Sequence, residues 1–189
     1  SNATISEGRI QTALAQFERS MISSGSRFDN AFAQLFNGNA NNGNLNANFP
    51  GFTASENRGK QLFLAGRNNG GAGCAACHQP PTFALAGNSR SNGLDAGETT
   101  IFKSPSLKNI GRSRFFMHDG RFTSLAQVVA HYNNGIQNGP ALDNRLRQGN
   151  NPQQLNLSAA DQQALVDFML TLTDTGLNSD PRFSDPFIQ

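Results

Sequence analysis

The stretch Cys74-Ala75-Ala76-Cys77-His78 contains both cysteines of this 189-residue chain, and the rest of the sequence is best understood from it. Cys-x-x-Cys-His is the attachment signature of c-type haem. One turn of chain presents two thiols to the two vinyl groups of a porphyrin, and the adjacent imidazole then lies under the iron. The motif therefore predicts one haem c, held covalently by Cys74 and Cys77, with His78 as the proximal iron ligand.

Three other uses of the two cysteines stay open on the sequence alone. A thioredoxin-type redox pair requires a βαβ context, and the sequence shows no such pattern. A zinc site requires two further ligands, but His118 and His131 are 13 residues apart, whereas paired zinc ligands are usually separated by about three to five. A plain disulfide or a chance match is the third. Because haem c is attached outside the cytoplasm, the haem interpretation also predicts a periplasmic or equivalent compartment.

Composition excludes several classes of protein. The hydrophobic fraction of 37% together with 19 glycines is typical of a globular chain, and 15% charged residues with a net charge of +2 provide no basic stripe for nucleic acid. The richest apolar run, 165–172, is interrupted by Asp167 and Thr171, so no segment reaches the roughly 20 residues of a membrane span. The opening Ser1-Asn2-Ala3 resembles a cloning remnant, and no secretion signal follows it.

Hydrophobic periodicity predicts two helices before residue 50. The first begins near Thr4 or Ser6, and its apolar stripe is Ile10, Ala13, Leu14, Phe17 and Met21. The second carries Phe28, Phe32, Leu35 and Phe36, with Gly38 as its stop signal. The Asn- and Gly-rich segment 37–48 predicts a surface loop.

Three further helices are predicted around and after the cysteine motif. Thr53 and Glu56 fit a capping box at the start of a helix that runs through Leu62 and Phe63 to Gly66. Ser124 can cap a helix that ends at Gly135, with the stripe Leu125, Val128, Val129 and Tyr132. Ser158 opens the last helix, which ends at Gly176, with the stripe Leu165, Phe168, Met169 and Leu172. No strand is predicted between Gly66 and Thr123, so the expected fold class is all-α with long loops.

Several stretches besides the cysteine motif resemble a known family. They are 10–28, 59–63, 102–109 (FKSPSLKN), 117–122 (MHDGRF) and 165–174 (LVDFMLTLTD). In order and spacing they resemble the C-terminal half of bacterial dihaem cytochrome c peroxidases and their relative MauG. The resemblance implies a class I cytochrome c-like domain with two additional N-terminal helices, in which the first and last helices of the domain cross beside the haem.

The resemblance also implies a division of the chain. Residues 1–3 would be a tag remnant, 4–50 a helical pair and loop at a domain junction, 51–176 the haem domain and 177–189 a tail. In the family this domain carries the electron-transfer haem and has no catalytic residue of its own. The partners implied are an N-terminal haem domain, where peroxide reacts, and a small redox protein as electron donor. The alternative function is a stand-alone monohaem electron carrier. A zinc-binding or interaction domain is the third possible function.

The distal iron ligand is the most informative choice in the sequence, because the axial ligands of haem set its potential. In the family this ligand lies 14 residues beyond the histidine that corresponds to His118, and it is commonly Met. Here the position is Tyr132, which resembles the His/Tyr ligation of MauG. Met117 is the alternative ligand, whereas Met21 and Met169 lie on apolar stripes and are expected in the core. His131 is expected to face another direction, as a surface group or a neighbour of the site.

The remaining site residues are implied by the same resemblance. His118 is expected near the haem edge and the domain junction. Backbone carbonyls of Ser113 and Phe115 correspond to positions that bind calcium between the two haems of the family, although this sequence lacks the usual Thr and Pro there. Cations that could bind the haem propionates are Lys103, Lys108, Arg112 and Arg121.

Overall fold

The computed structural model of the chain describes residues 4–36, 44–85, 87–185 and 187, and these are mostly helical, as the periodicity predicts. The α-helices are α1 (Glu7–Ser20), α2 (Arg27–Leu35), α3 (Ala54–Leu64), α4 (Leu125–Ala130) and α5 (Ala159–Leu170). A π-helical turn, His131–Gly135, continues α4, and two short antiparallel strands, β1 (Arg147–Gln148) and β2 (Asn151–Pro152), pair Arg147 with Pro152. None of the described helices combines the length and the apolar character needed to cross a bilayer.

The packing of α3 across α5 is the main helix contact of the described chain. Helix α3 begins with the predicted capping box: the amide of Glu56 donates to Thr53 Oγ1 at 3.1 Å, and Glu56 Oε2 accepts from the Thr53 amide at 2.7 Å. Gly59 lies where the two helices cross, and a Cβ at this position would be 1.8 Å from the carbonyl oxygen of Ala164. Only glycine permits this approach of the two backbones.

A cluster of phenylalanines joins α3 and α5 to α2 and to the segment after the cysteine motif. Phe63 of α3 and Phe168 of α5 meet edge to face with ring centroids 5.2 Å apart. Phe28 of α2 meets Phe83 at 4.7 Å, and all four rings are at most 1% exposed. Edge-to-face pairs add to the free energy gained from burial. The cluster therefore fixes the segment 78–83 against the two crossing helices.

Helix α1 departs from the prediction for its apolar stripe. The helix forms where the periodicity predicts, but none of its residues is buried, and Ile10, Leu14 and Phe17 are 49%, 56% and 47% exposed. The expectation that Met21 lies in the core is wrong, since its side chain is 40% exposed. Periodicity identifies the face that a helix can bury, but the described residues cover this face only in part: Phe17 meets the ring of Phe183 edge to face at 5.9 Å and still stays 47% exposed.

Helix ends were less predictable than helix positions. Helix α5 ends at Leu170 instead of Gly176, because the amide and the hydroxyl of Thr171 both turn back to the carbonyl of Phe168, at 3.0 and 2.7 Å. The α-helical part of α4 ends at Ala130, and the π-helical turn covers the rest of the predicted helix to Gly135. The predicted stop at Gly38 lies outside the described residues.

Replacing Gly59 by Ala should destabilise the fold by at least the roughly 1–3 kcal/mol typical of overpacked cores. The reason is that the new methyl group overlaps the backbone of α5, which cannot move as a flexible side chain would. Denaturant unfolding measures the change. The matched control is Gly8→Ala in α1, where a Cβ meets nothing within 4 Å, and a gain of about 0.5–1 kcal/mol is expected there. Equal stability of the two variants would contradict the assigned crossing.

Candidate functional site

A cavity of about 490 Å³ lies beside the α3/α5 crossing. This volume is within the range of about 300–1,000 Å³ typical of small-molecule and cofactor sites. Much of the wall is apolar, and its contributors from the helices are Phe63, Leu125, Val128, Val129, Leu165 and Met169. A more open cleft of about 790 Å³ shares Arg90 and Lys103 with this cavity. The site therefore combines an apolar interior with basic side chains at one margin.

The two cysteines lie on a single tight turn at the cavity. Cys74–Ala76 forms a 3₁₀ turn after Gly73, whose φ of +72° suits glycine. The amides of Cys77 and His78 both donate to the carbonyl of Cys74, at 3.1 and 2.9 Å. Both cysteines are free thiols, and burial raises the pKa of Cys74 to about 12. The thiols therefore stay protonated at neutral pH and lie one turn apart.

The ring of His78 is fixed in the tautomer that a metal ligand needs. Its Nδ1 is 3.0 Å from the carbonyl oxygen of Pro105. Because a carbonyl can only accept, Nδ1 carries the proton and the lone pair is on Nε2. Burial lowers the pKa of His78, so the ring is neutral at pH 7. Metal-binding histidines are commonly oriented by such a second hydrogen bond. Pro105 belongs to the FKSPSLKN stretch, which here has a defined structural purpose.

Tyr132 lies on the π-helical turn and meets the cysteine motif in one place. A recess of about 80 Å³ is lined by Cys74, Cys77, His78 and Tyr132 together. Burial raises the pKa of Tyr132 to about 12, although a hydrogen bond from the Asn92 side chain opposes the rise. Single π-helical turns often occur at functional sites. The structure thus brings together the four residues that the sequence predicts around the iron.

His131, the neighbour of Tyr132, faces away from the recess. It is buried, with 6% of its surface exposed, and its Nε2 donates to the carbonyl of Asn92 at 3.1 Å. The sequence left two positions open for His131, the surface or the neighbourhood of the site, and the structure places it in the buried neighbourhood of the site.

Met117 lines the cavity of about 490 Å³ and has an unusual backbone conformation. Its φ is +72°, in the left-handed region that residues other than glycine rarely adopt. Its sulfur accepts a hydrogen bond from Nδ2 of Asn92 at 3.1 Å. Sequence reasoning missed Asn92, because a lone asparagine in a loop rich in Gly and Ser gives no signal that it lines a cavity.

The predicted cations are divided between the cavity and other contacts. Lys103 and Lys108 line the cavity, and Lys108 also pairs with Asp29 at 2.5 Å. Arg112 donates to the carbonyl of Asp174 at 3.2 Å. Arg121 pairs with Asp95 at 2.8 Å and with Asp119 at 2.6 Å. The structure therefore places Arg112 and Arg121 in contacts outside the cavity wall.

Two arginines near the site were not predicted. Arg90 lines the cavity, the recess and the open cleft. Arg145 donates to the carbonyl of Ala76 inside the cysteine motif at 3.1 Å and is itself held by Asp143 at 2.9 Å. Arg145 therefore steadies the turn that carries the two thiols. Arg145 is 69 residues from Ala76 in sequence, so only the folded chain connects it to the motif.

Ser113, Phe115 and His118 also line the cavity. The ring of His118 stacks on Phe102 with centroids 3.9 Å apart, and its Nε2 is 3.8 Å from Glu98 Oε1. Potential metal-ligand atoms of Asp95, Glu98 and His118 lie within 4.8 Å of one another, and neither cysteine belongs to this cluster. Phe115 is 68% exposed at the cavity margin.

The residues around the cavity fit the group that the motif implies. Two thiols one turn apart match the two attachment points of a porphyrin, and the neutral ring of His78 offers a lone pair for iron. The apolar wall suits the macrocycle, and the basic side chains at the margin suit its carboxylates. Zinc would need further ligands at the cysteines, and the cluster around His118 does not supply them.

Comparison with known proteins gives one consistent result. The family described as di-haem cytochrome c peroxidase matches residues 54–163. The methylamine utilization protein MauG of Methylorubrum extorquens is 29% identical over an alignment of 186 positions, and the match covers 91% of this chain and 46% of that protein. Cytochrome c551 peroxidase of Nitrosomonas europaea is 30% identical over an alignment of 139 positions, and the match covers 64% of this chain and 36% of that protein.

A solved structure is similar over almost the whole chain. It is the crystal structure of a MauG-like protein associated with microbial copper homeostasis, with a TM-score of 0.70 and 27% identity, and the match covers 98% of this chain and 62% of that one. The chain spans about half the length of the MauG proteins it matches, 46% and 48%.

Titration of the haem-free protein tests the placement of Tyr132, which is the only tyrosine of a chain without tryptophan. Phenolate absorbance should rise with a midpoint near pH 12, against about 10 for free tyrosine. Since the folded-state pKa is raised, the stability it contributes is full below about pH 10 and is lost as the pH rises through about 12. Tyr132→Phe is the control and should lack both effects. A midpoint near pH 10 while circular dichroism still shows the folded state would contradict the placement.

Proposed function

The chain belongs to the di-haem cytochrome c peroxidase family, and on this premise we propose that residues 51–176 form a class I cytochrome c-like domain with one haem c. The observation that carries the proposal is the recess where two thiols, an imidazole and a phenol meet. In this proposal Cys74 and Cys77 hold the haem covalently, His78 is the proximal iron ligand and Tyr132 is the distal ligand. When bound, the haem supplies a one-electron redox couple.

The function proposed is electron relay. With side chains of the protein at both axial positions, the iron would offer no open position to peroxide, so this domain would pass electrons and not react with peroxide itself. The electrons would come from a small redox protein and go to a peroxide-reacting haem in an N-terminal domain of the same protein. The compartment we propose is the periplasm, because covalent haem attachment takes place outside the cytoplasm.

The exposed apolar stripe of α1 supports the proposal that this chain packs against a second domain. Ile10, Leu14 and Phe17 are each about half exposed, and such a row on one helix face is costly unless another surface covers it. We therefore propose that residues 4–50 lie at the domain junction. Calcium bound by the backbone carbonyls of Ser113 and Phe115 is a further proposal for the same junction.

Ligation by Tyr132 has a definite electrostatic consequence. The phenol must lose its proton to act as an anionic ligand, and burial opposes this because it raises the pKa to about 12. The compensating positive charge would come from ferric iron, just as metal ions lower the pKa of oxygen acids that bind them. An anionic oxygen ligand favours the ferric over the ferrous state. The potential should therefore lie below that of a His/Met cytochrome.

The stand-alone carrier differs from the relay domain in what precedes this chain in the gene. A relay domain predicts a second Cys-x-x-Cys-His motif upstream, and a stand-alone carrier does not. The relay is favoured by α1, because a minimal carrier does not need a helix whose apolar face stays about half exposed. A haemochrome spectrum after production with the c-haem attachment machinery separates both functions from a haem-free zinc or interaction domain.

Replacing Tyr132 by Phe removes only the oxygen and keeps the ring. In the haem-loaded protein the ferric spectrum should shift from six-coordinate low spin towards high spin, or to Met117 ligation, and the potential should rise. Absorption spectroscopy and redox titration measure both. If Tyr132→Phe changes neither while Met117→Ala changes both, the domain is an ordinary His/Met cytochrome.

The haem-loaded chain should cycle electrons with small redox donors but turn over hydrogen peroxide far more slowly than intact dihaem enzymes. Steady-state oxidation of a donor by peroxide measures this. The matched comparison is the double variant Tyr132→Phe/Met117→Leu, which should gain some peroxide activity because neither candidate ligand can fill the axial position. Turnover of the unmodified chain at the rate of an intact dihaem enzyme would refute the relay function.

A further inference from the structure

Asn92 is a polar residue that lines the cavity, and the proposed function assigns no role to it. It lines both the cavity and the recess that contains Tyr132. One N–H of its carboxamide donates to the sulfur of Met117 at 3.1 Å. Its Oδ1 is buried, and within the described part of the chain no donor reaches it. A buried carbonyl of this kind is unfavourable unless another requirement keeps it in place.

The backbone of Asn92 is tied to the helix turn that carries Tyr132. His131, the residue before Tyr132, donates from Nε2 to the carbonyl of Asn92 at 3.1 Å, and the amide of Gln137 donates to the carbonyl of Gly93 at 2.8 Å. These two hydrogen bonds fix the loop that contains Asn92 and Gly93 against the π-helical turn. In this arrangement Asn92 and Tyr132 line both the cavity and the recess together.

The loop that contains Met117 is also fixed by a backbone hydrogen bond. The amide of Phe116 donates to the carbonyl of Phe122 at 2.9 Å, which closes the loop around Met117. The left-handed backbone of Met117, with φ of +72°, persists only because the surrounding contacts impose it. The thioether of Met117 thus contacts the Asn92 carboxamide, and the phenol of Tyr132 lines the same recess as Asn92.

We propose that Asn92 is a positioning residue that selects the distal ligand: its carboxamide holds the sulfur of Met117 by a hydrogen bond and hydrogen-bonds the oxygen of Tyr132, so that tyrosine and not methionine is presented to the iron. A sulfur lone pair engaged by an N–H is less available to a metal. The second N–H of the amide can at the same time donate to a phenolate oxygen, and such bonds to charged acceptors are the stronger ones. This inference rests on the proposed function, because it assumes haem held by His78.

The test uses the haem-loaded chain and four variants. Asn92→Leu removes the amide at similar volume, and Asn92→Asp keeps the shape but removes both N–H donors, which provides a second probe if the leucine variant folds poorly. Met117→Leu removes only the sulfur, and the double variant Asn92→Leu/Met117→Leu removes both groups. Ferric spectra report the ligand set, redox titration reports the potential, and far-UV circular dichroism confirms folding.

Both Asn92 variants should show the charge-transfer band of sulfur bound to ferric iron, with a potential at least about 59 mV higher, which is a tenfold change for a one-electron couple. Met117→Leu should keep the spectrum of the unmodified protein, and the double variant should return to tyrosine ligation because no sulfur remains. Spectra and potentials that stay unchanged in both Asn92 variants would overturn the inference. A change in Met117→Leu like that of Tyr132→Phe would overturn it too, since Met117 would then already bind iron.

Tyr132→Phe separates this inference from the proposed function. If that variant leaves the ferric spectrum unchanged, the assignment of Tyr132 as ligand is wrong, and with it the proposed role of Asn92. If Tyr132→Phe changes the spectrum but the Asn92 variants do not, only the role of Asn92 is wrong and the relay domain stands.

Discussion

The approach of α3 to α5 at Gly59 determines the shape of the rest of the molecule. A single methyl group there would overlap the backbone of Ala164, so the two helices can approach this closely only because residue 59 is glycine. At this separation Phe63 and Phe168 interlock, and Phe83 and Phe28 close the same cluster. The cavity wall is built from the same two helices, so its shape follows from a contact between two backbones.

The cysteine motif depends on this framework for its chemistry. A tight turn alone places two thiols near each other, but it does not orient His78. That is done by the carbonyl of Pro105, which is 27 residues away in sequence. Arg145 steadies the turn from a still more distant segment through the carbonyl of Ala76. The motif thus supplies the reactive atoms, and remote backbone and side chains supply their orientation.

On the other side of the cavity, one polar cluster connects the groups that could complete the iron site. His131 holds the Asn92 backbone, the Asn92 side chain holds Met117, and Tyr132 shares their cavity. His131 and Tyr132 are adjacent on the π-helical turn, yet His131 binds the carbonyl of Asn92 in the loop while Tyr132 lines the recess. A regular helix predicts only that they face different directions, and not that one of them fixes a loop from another part of the chain.

Local spacing in the chain predicts the helical class and the capping box at Thr53, which the structure confirms, and it identifies the motif and Tyr132 as candidates for the site. These follow from patterns within a few residues, or from family stretches such as FKSPSLKN. The sequence does not predict that α1 keeps its apolar stripe about half exposed, that Met21 lies outside the core, that Arg121 pairs with Asp95, or that Asn92 contacts Met117. Those outcomes depend on which distant segments meet, and only the tertiary structure decides that, because burial and hydrogen bonding between remote residues leave no periodic trace in the chain.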